Sequence, residues 1–252
     1  NFTALQSNVT NYISVRAVDV AGSTTTLNDA FRVFKDTVGP SVSISTPNVG
    51  SGFVSAVSVA GGNAAGPFGL AGVEVSVKLN PGLYWDGVSA FTSGAPVWMP
   101  ATGASTWTAT LGVTFTPGSA YQIIARSSTT YGMYSTTYAT ASFTLDASTP
   151  TVGVVAPVPL SVVASLPVRS GTAADTGAGV DTIEVRLKRL SDGQYWNWFS
   201  DAWQPVPVSS VSAGPAVWSV TPSAVLQSNM ISGASYYIAV RASDASLPAN
   251  AG

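Results

Sequence analysis

The sequence predicts an all-β protein built of antiparallel two-sheet sandwiches in tandem, and three observations carry that expectation. Serine, threonine, glycine, β-branched residues and aromatics abound while charged residues make up only 9% of the 252 positions. That composition suits half-buried pleated surfaces and not helices rich in Glu, Lys and Leu. Apolar and polar residues alternate with a period of two in the longer runs, as in strands with one buried and one wet face. The chain also repeats itself at a spacing close to one sandwich domain of roughly 100 residues.

The repeat is carried by specific segments. "YISVRAVDVAG" (Tyr12 to Gly22) returns as "YQIIARSSTTYG" (Tyr121 to Gly132) and as "YYIAVRASDAS" (Tyr236 to Ser246), with Arg16, Arg126 and Arg241 in register at separations of 110 and 115 residues. "FRVFKDTVGPSVSISTP" from Phe31 matches "FTLDASTPTVGVVAP" from Phe143, so Asp36–Pro40 and Asp146–Pro150 are equivalent Asp/Thr/Pro connectors. "GVEVSVKL" answers "TIEVRLKRL", and Trp107 aligns with Trp218. Strands follow from the alternation of Val73, Val75, Val77 and Leu79 with Glu74, Ser76 and Lys78, and of Ile183, Val185 and Leu187 with Glu184, Arg186 and Lys188. The turn "TPGSAY" sets Tyr121 where a tyrosine corner would stand. Each repeat holds about seven such runs, enough for one antiparallel sandwich.

The expected organisation is three modules of about 110 residues. Residues 1–38 form the last strands of a partial module, 39–148 a complete one, and 149–252 one that lacks its final strand. Either the sequence is a window on a longer array, or the missing strand arrives in trans, with Phe31–Lys35 of one copy closing the open edge of another.

"VRAVDVAGS … FKDTVGPSVSISTP" and "GTAADTGAGVDTIEVRL" resemble the tandem bacterial immunoglobulin-like modules of large secreted and cell-surface proteins, and "PGSAYQIIARS" is similar to the sixth-strand region of fibronectin type III modules. The resemblance spans essentially the whole chain. It implies tandem immunoglobulin-like antiparallel β-sandwiches in an extended array displayed outside the cell, and it implies no ligand.

Composition narrows the chemistry. The chain has no Cys and no His and a net charge of −2, which removes thiol nucleophiles, the usual zinc sites, the Ser-His-Asp arrangement and any basic stripe for nucleic acid. No apolar run approaches the roughly 18 residues that span a bilayer, so an export signal and any anchor are expected outside this segment. Catalysis would have to rest on carboxylates, Lys or Tyr, and glycoside hydrolysis needs a pair of carboxylates. "LYWDG" offers one, but its twin "QYWNWF" carries Asn197 in place of Asp86, so no enzyme is expected.

Two kinds of site remain. Tyr84, Trp85 and Trp98, with Tyr195, Trp196 and Trp198, are dense enough to form a sugar-stacking face or to plug hairpins onto the sandwiches. Asp36, Asp146 and Asp175 lie at module boundaries and offer oxygen ligands for calcium; Asp19 and Asp244 occupy equivalent turns. The middle repeat has Thr129 at the position of Asp244 and Ala65 at that of Asp175, so the set is not repeated in full, and Asx turns explain single aspartates as well. Arg186, Lys188 and Arg189 form a small basic cluster, read as a solvated sheet face.

The function these features point to is a non-catalytic structural segment of an extracellular bacterial surface or filament protein, serving as stalk, fibre or surface layer. Its partners would be neighbouring modules or further copies. An adhesin or carbohydrate-binding array that uses the Tyr/Trp faces on glycans is one alternative. An accessory region of a secreted polysaccharide-degrading enzyme is the other.

Overall fold

The computed structural model describes residues 2–213 and 216–252. Among them strands dominate, with a single short α-helix (Ala224–Ser228) and one 3-10 turn. The paired strands are antiparallel throughout, apart from the β4–β12 contact and one isolated bridge named below.

The chain opens with a ribbon of β1 (Thr10–Val18) on β2 (Thr24–Phe34). It carries exposed Tyr12, Leu27 and Phe31, and its Phe34 ring lies 4.4 Å from Phe68. Next come β3 (Ser41–Thr46), β4 (Phe53–Val54), β5 (Val59–Ala65), β6 (Leu70–Asn80), β7 (Tyr84–Trp85), β8 (Phe91–Ser93), β9 (Met99–Pro100), β10 (Thr106–Thr110), β11 (Ala120–Thr129) and β12 (Ala139–Leu145). They form one sheet in the order β10-β5-β3 and a second in the order β4-β12-β11-β6-β7-β8, with β9 also on β6. The predicted alternation holds on the inner face, where Val73, Val75 and Val77 are buried and meet Trp107 and Ala109 of the facing sheet in one core with Ile123, Ala125 and Phe143; it fails at Ser76, which is buried on the face expected to be wet.

The following strands are β13 (Thr151–Ala156), β14 (Arg169–Ala174), β15 (Val180–Arg189), β16 (Tyr195–Asn197), β17 (Ala202–Gln204), β18 (Ser210–Ala213), β19 (Val217–Val220) and β20 (Tyr236–Asp244). They repeat the plan as sheets β13-β14-β19 and β17-β16-β15-β18, with β20 on β15. Their cores, one around Ile183, Val185 and Trp218 and one around Leu187, Trp196 and Leu226, share no buried residue with the earlier core. The α-helix serves the latter: Ser223 caps it by accepting from the Leu226 N–H at 3.0 Å, which drives Leu226 down against Trp196.

Recurrent details follow from the repeat. The Tyr121 hydroxyl accepts from the Thr116 N–H at 2.8 Å and the Tyr236 hydroxyl from the Ile231 N–H at 2.7 Å, so the tyrosine corner occurs twice. Trp107 pairs with Gly62 and Trp218 with Gly171. A Cβ on Gly62 would stand 1.9 Å from the Ser43 carbonyl; one on Gly171 would stand 1.8 Å from the Gly153 carbonyl and 2.6 Å from the Trp218 ring. Glycine is needed beneath each indole because the neighbouring backbone leaves no room for a side chain.

Candidate functional site

The connection between β12 and β13 is where polar groups gather. Asp146 follows β12, Asp175 follows β14, and Asp244 ends β20; one carboxylate oxygen of each lies within 4.8 Å of the others. Asp146 and Asp244 are buried at 4% and 1% exposure. Among the described residues only N–H and O–H donors reach them. Asp146 accepts from the Ala178 N–H at 2.6 Å and from the Ser148 N–H and hydroxyl. Asp175 accepts from the Gly177 and Gly179 N–H groups, and Asp244 from Ser246 and from the Asn250 N–H and side-chain amide. Burial works to raise the Asp146 pKa, but the hydrogen bonds from Ser148 and Ala178 outweigh it and hold the carboxyl below its ordinary value. The ion pairs at Arg126, Arg186, Arg189 and Arg241 do not reach the trio. Two like charges this close repel by about 3 to 4 kcal/mol at an effective dielectric near 20, and an oxygen-lined set of this kind suits a hard divalent cation. A cavity of about 390 Å³ opens beside it, bounded by Phe53, Leu145, Asp146, Ser148 and Gly177.

Sequence reasoning selected Asp36, Asp146 and Asp175; the structure joins the last two with Asp244 and leaves Asp36 apart. Asp36 caps the Val38 N–H at 2.9 Å at the first junction. There the strand register sets Gly66, one residue beyond Ala65, against Asp175, and Thr129 against Asp244, so no second or third carboxylate is at hand. The missed signal was that Asp146, Asp175 and Asp244 are the only three of these positions to be acidic together.

The same junction is latched at backbone carbonyls. The Leu247 N–H donates to the Phe53 carbonyl at 3.1 Å, Leu247 bridges Val54, and the Asn250 amide donates to the Asp146 carbonyl at 2.9 Å. Asp244 shapes this 245–250 turn through its bonds to Ser246 and Asn250.

The aromatic hairpins are packing elements. Trp85 and Trp196 are 5% and 0% exposed and belong to the cores, so neither indole presents a face to solvent. Lys78 lies over the Tyr84 ring at 5.5 Å and Lys188 over Tyr195 at 5.3 Å. Arg126 stacks on Trp98 at 4.1 Å, with Tyr134 at 4.2 Å, and Arg169 stacks on Trp198 at 4.5 Å. Arg189, the third member of the basic cluster, is turned from its neighbours to pair with Asp192 at 2.5 Å and stack on Trp203.

Asp86 is a turn cap. The N–H groups of Ser89, Val88 and Ala90 point at its carboxylate and hold its pKa down at about 2. In the twin hairpin, the Asn197 side-chain oxygen accepts from the Phe199 and Ser200 N–H groups at 2.9 and 3.2 Å, so an amide does the same work. Asp86→Asn, which keeps the acceptor but not the charge, is expected to lower the unfolding midpoint at pH 7 slightly, and Asp86→Ala to lower it further. Because the folded pKa is depressed, the carboxylate's contribution is present above about 3.8 and is lost as pH falls through about 2. Midpoints followed by tryptophan fluorescence should show that pH dependence in the native chain and not in Asp86→Asn; an asparagine variant as damaged as the alanine one would contradict the capping role.

Fold and junction together define an all-β protein of repeated antiparallel sandwiches. No family model and no curated protein matches the chain. Among solved structures, a tetra-tandem repeat in the extending region of a large adhesion protein is similar with a TM-score of 0.31 and 15% identity, over 98% of this chain and 55% of that one. A structure concerned with host cell surface retention of a 1.5-MDa bacterial ice-binding adhesin is similar with a TM-score of 0.36 and 15% identity, over 84% of this chain and 60% of that one. The matches thus take in 55% and 60% of the length of these two chains.

Proposed function

We propose that the chain is a non-catalytic structural segment of an extracellular bacterial surface or filament protein, made of tandem immunoglobulin-like sandwiches whose junctions set its stiffness. The carrying observation is the latch at the second junction, where Leu247 and Asn250 of one module bond to Phe53 and Asp146 of the one before it. A short Asp/Pro connector limits bending; backbone bonds across the joint limit it further, and reach and cohesion are what such a joint supplies.

On this reading the acid trio holds calcium across the joint, since Asp146 belongs to the connector and Asp175 and Asp244 to the following module. Extracellular calcium modules have Kd values of about 10⁻⁴–10⁻³ M, so roughly 10 mM calcium is expected to stabilise by about 1 to 3 kcal/mol. Small-angle scattering and thermal unfolding with calcium and with chelator test both points. The expected result is a narrower distribution of particle lengths and a higher midpoint with calcium, both lost in Asp175→Asn. An unchanged midpoint removes the cation, and a Leu247→Asp, Asn250→Ala variant as stiff as the native chain removes the latch.

A further inference from the structure

The outward face of the β15–β20 sheet differs from its counterpart in the preceding module in a way that packing does not require. In the earlier module Lys78, Ser76 and Glu74 of β6 lie opposite Gln122, Ile124 and Arg126 of β11. Register on β9 sets Trp98 beside this row, where it stacks on Arg126; Ser76 and Ile124 are buried although they lie on the outer face. In the later module the corresponding rows are Lys188, Arg186 and Glu184 opposite Tyr237, Ala239 and Arg241, and the register of β18 puts Ser209 where Trp98 stands. The row closed by isoleucine, serine and tryptophan is replaced by alanine, arginine and serine, which leaves the Arg186 side chain 42% exposed, with its Nε donating to the Ser209 hydroxyl at 2.8 Å.

Charge and rings on this face point the same way. Arg186, Lys188 and Arg241 share it with one carboxylate, that of Glu184, which stands 3.5 Å from Arg186 and 3.1 Å from Arg241. The face is therefore cationic in a chain whose net charge is −2. Arg186 and Arg241 keep side-chain exposures of 42% and 57%. Tyr237, 58% exposed, and Tyr195 flank Lys188 on the two neighbouring strands. We propose that this face binds an acidic polysaccharide, with carboxylates on Arg186 and Arg241 and sugar rings against Tyr195 and Tyr237. Charge complementarity selects a polyanion. The flanking phenols select one with apolar ring faces over an acidic peptide, and three cations are too few to give a strong hold on nucleic acid.

The site goes beyond the structural role and is tested apart from it, on the whole chain, by calorimetric titration with polygalacturonate, neutral dextran and poly-glutamate at low and high salt. The expected result is salt-sensitive binding of polygalacturonate and none of dextran. Each of Arg186→Gln, Lys188→Gln and Arg241→Gln is expected to weaken it about tenfold, as loss of one charge-assisted contact does. Tyr237→Ser should weaken polygalacturonate without changing poly-glutamate. The triple glutamine variant, with its unfolding midpoint checked, should not bind. Absence of polygalacturonate binding at low salt, binding that survives the triple change, or poly-glutamate held equally well with Tyr237→Ser silent would each overturn the proposal.

Discussion

Trp218→Ala is expected to cost about 3 to 5 kcal/mol, at the upper end for a buried aromatic. The indole is 1% exposed and packs with Ala173, Ile183, Val185 and Ala242. Its partner across the ladder is Gly171, where a Cβ would already stand 2.6 Å from the ring, so the cross-strand neighbour has no side chain with which to fill the space. The cavity stays open, and its full cost is felt. Since this core shares no buried residue with that around Trp107, the loss should fall on one unfolding transition. Trp107→Ala, at 0% exposure, should displace the other. Denaturant unfolding followed by fluorescence reads both. If each substitution moved every transition by the same amount, the modules would be one cooperative unit and the tandem organisation would be wrong in its energetic sense.

The strands and the tryptophan pair were legible because their determinants are local. Val73, Val75 and Val77 alternate in sequence and are buried at 2%, 0% and 0%, and repetition of "EV" segments and of Trp107 as Trp218 carries the register from one module to the next. The junction was legible only in part. Asp146 and Asp175 are 29 residues apart in sequence, but Asp244 joins them through the return of β20 and the Asn250 turn, a contact of still longer sequence separation that no periodicity encodes. The aromatic hairpins were ambiguous for a related reason. A Tyr-Trp pair reads alike whether its two-residue strand folds its indole inward or outward, and pairing of Lys78 with Tyr84 and of Lys188 with Tyr195 decides it. Arg169 gave no signal at all, because it occupies a position that the register matches to Ala60 in the other module.

That residue is the more informative for being out of pattern. Arg169 is 0% exposed; its Nε and Nη2 donate to the Val220 carbonyl at 3.3 Å, its Nη1 has no partner, and no carboxylate pairs with it among the described residues. The Trp198 ring 4.5 Å away offers the guanidinium its chief electrostatic support. Burial lowers its pKa to about 10, which corresponds to roughly 3 kcal/mol against the charged form in the folded state. The sign is the reverse of a stabilising pair: at neutral pH the unfolded chain holds this proton more tightly, and the penalty fades only as pH rises beyond about 10. Arg169→Met keeps an unbranched stem on Trp198 and removes the charge. It is therefore expected to raise the stability of this module by about 1 to 3 kcal/mol, as replacement of buried ions by apolar residues does elsewhere, while Arg169→Ala lowers it by opening a cavity. Chemical denaturation of the two variants at pH 7 separates the cases. A methionine variant less stable than the native chain would show that the cation on Trp198 outweighs its own desolvation. The alanine that closes the equivalent place in the preceding module argues against this, since it shows that the sandwich folds at this position with no charge inside it.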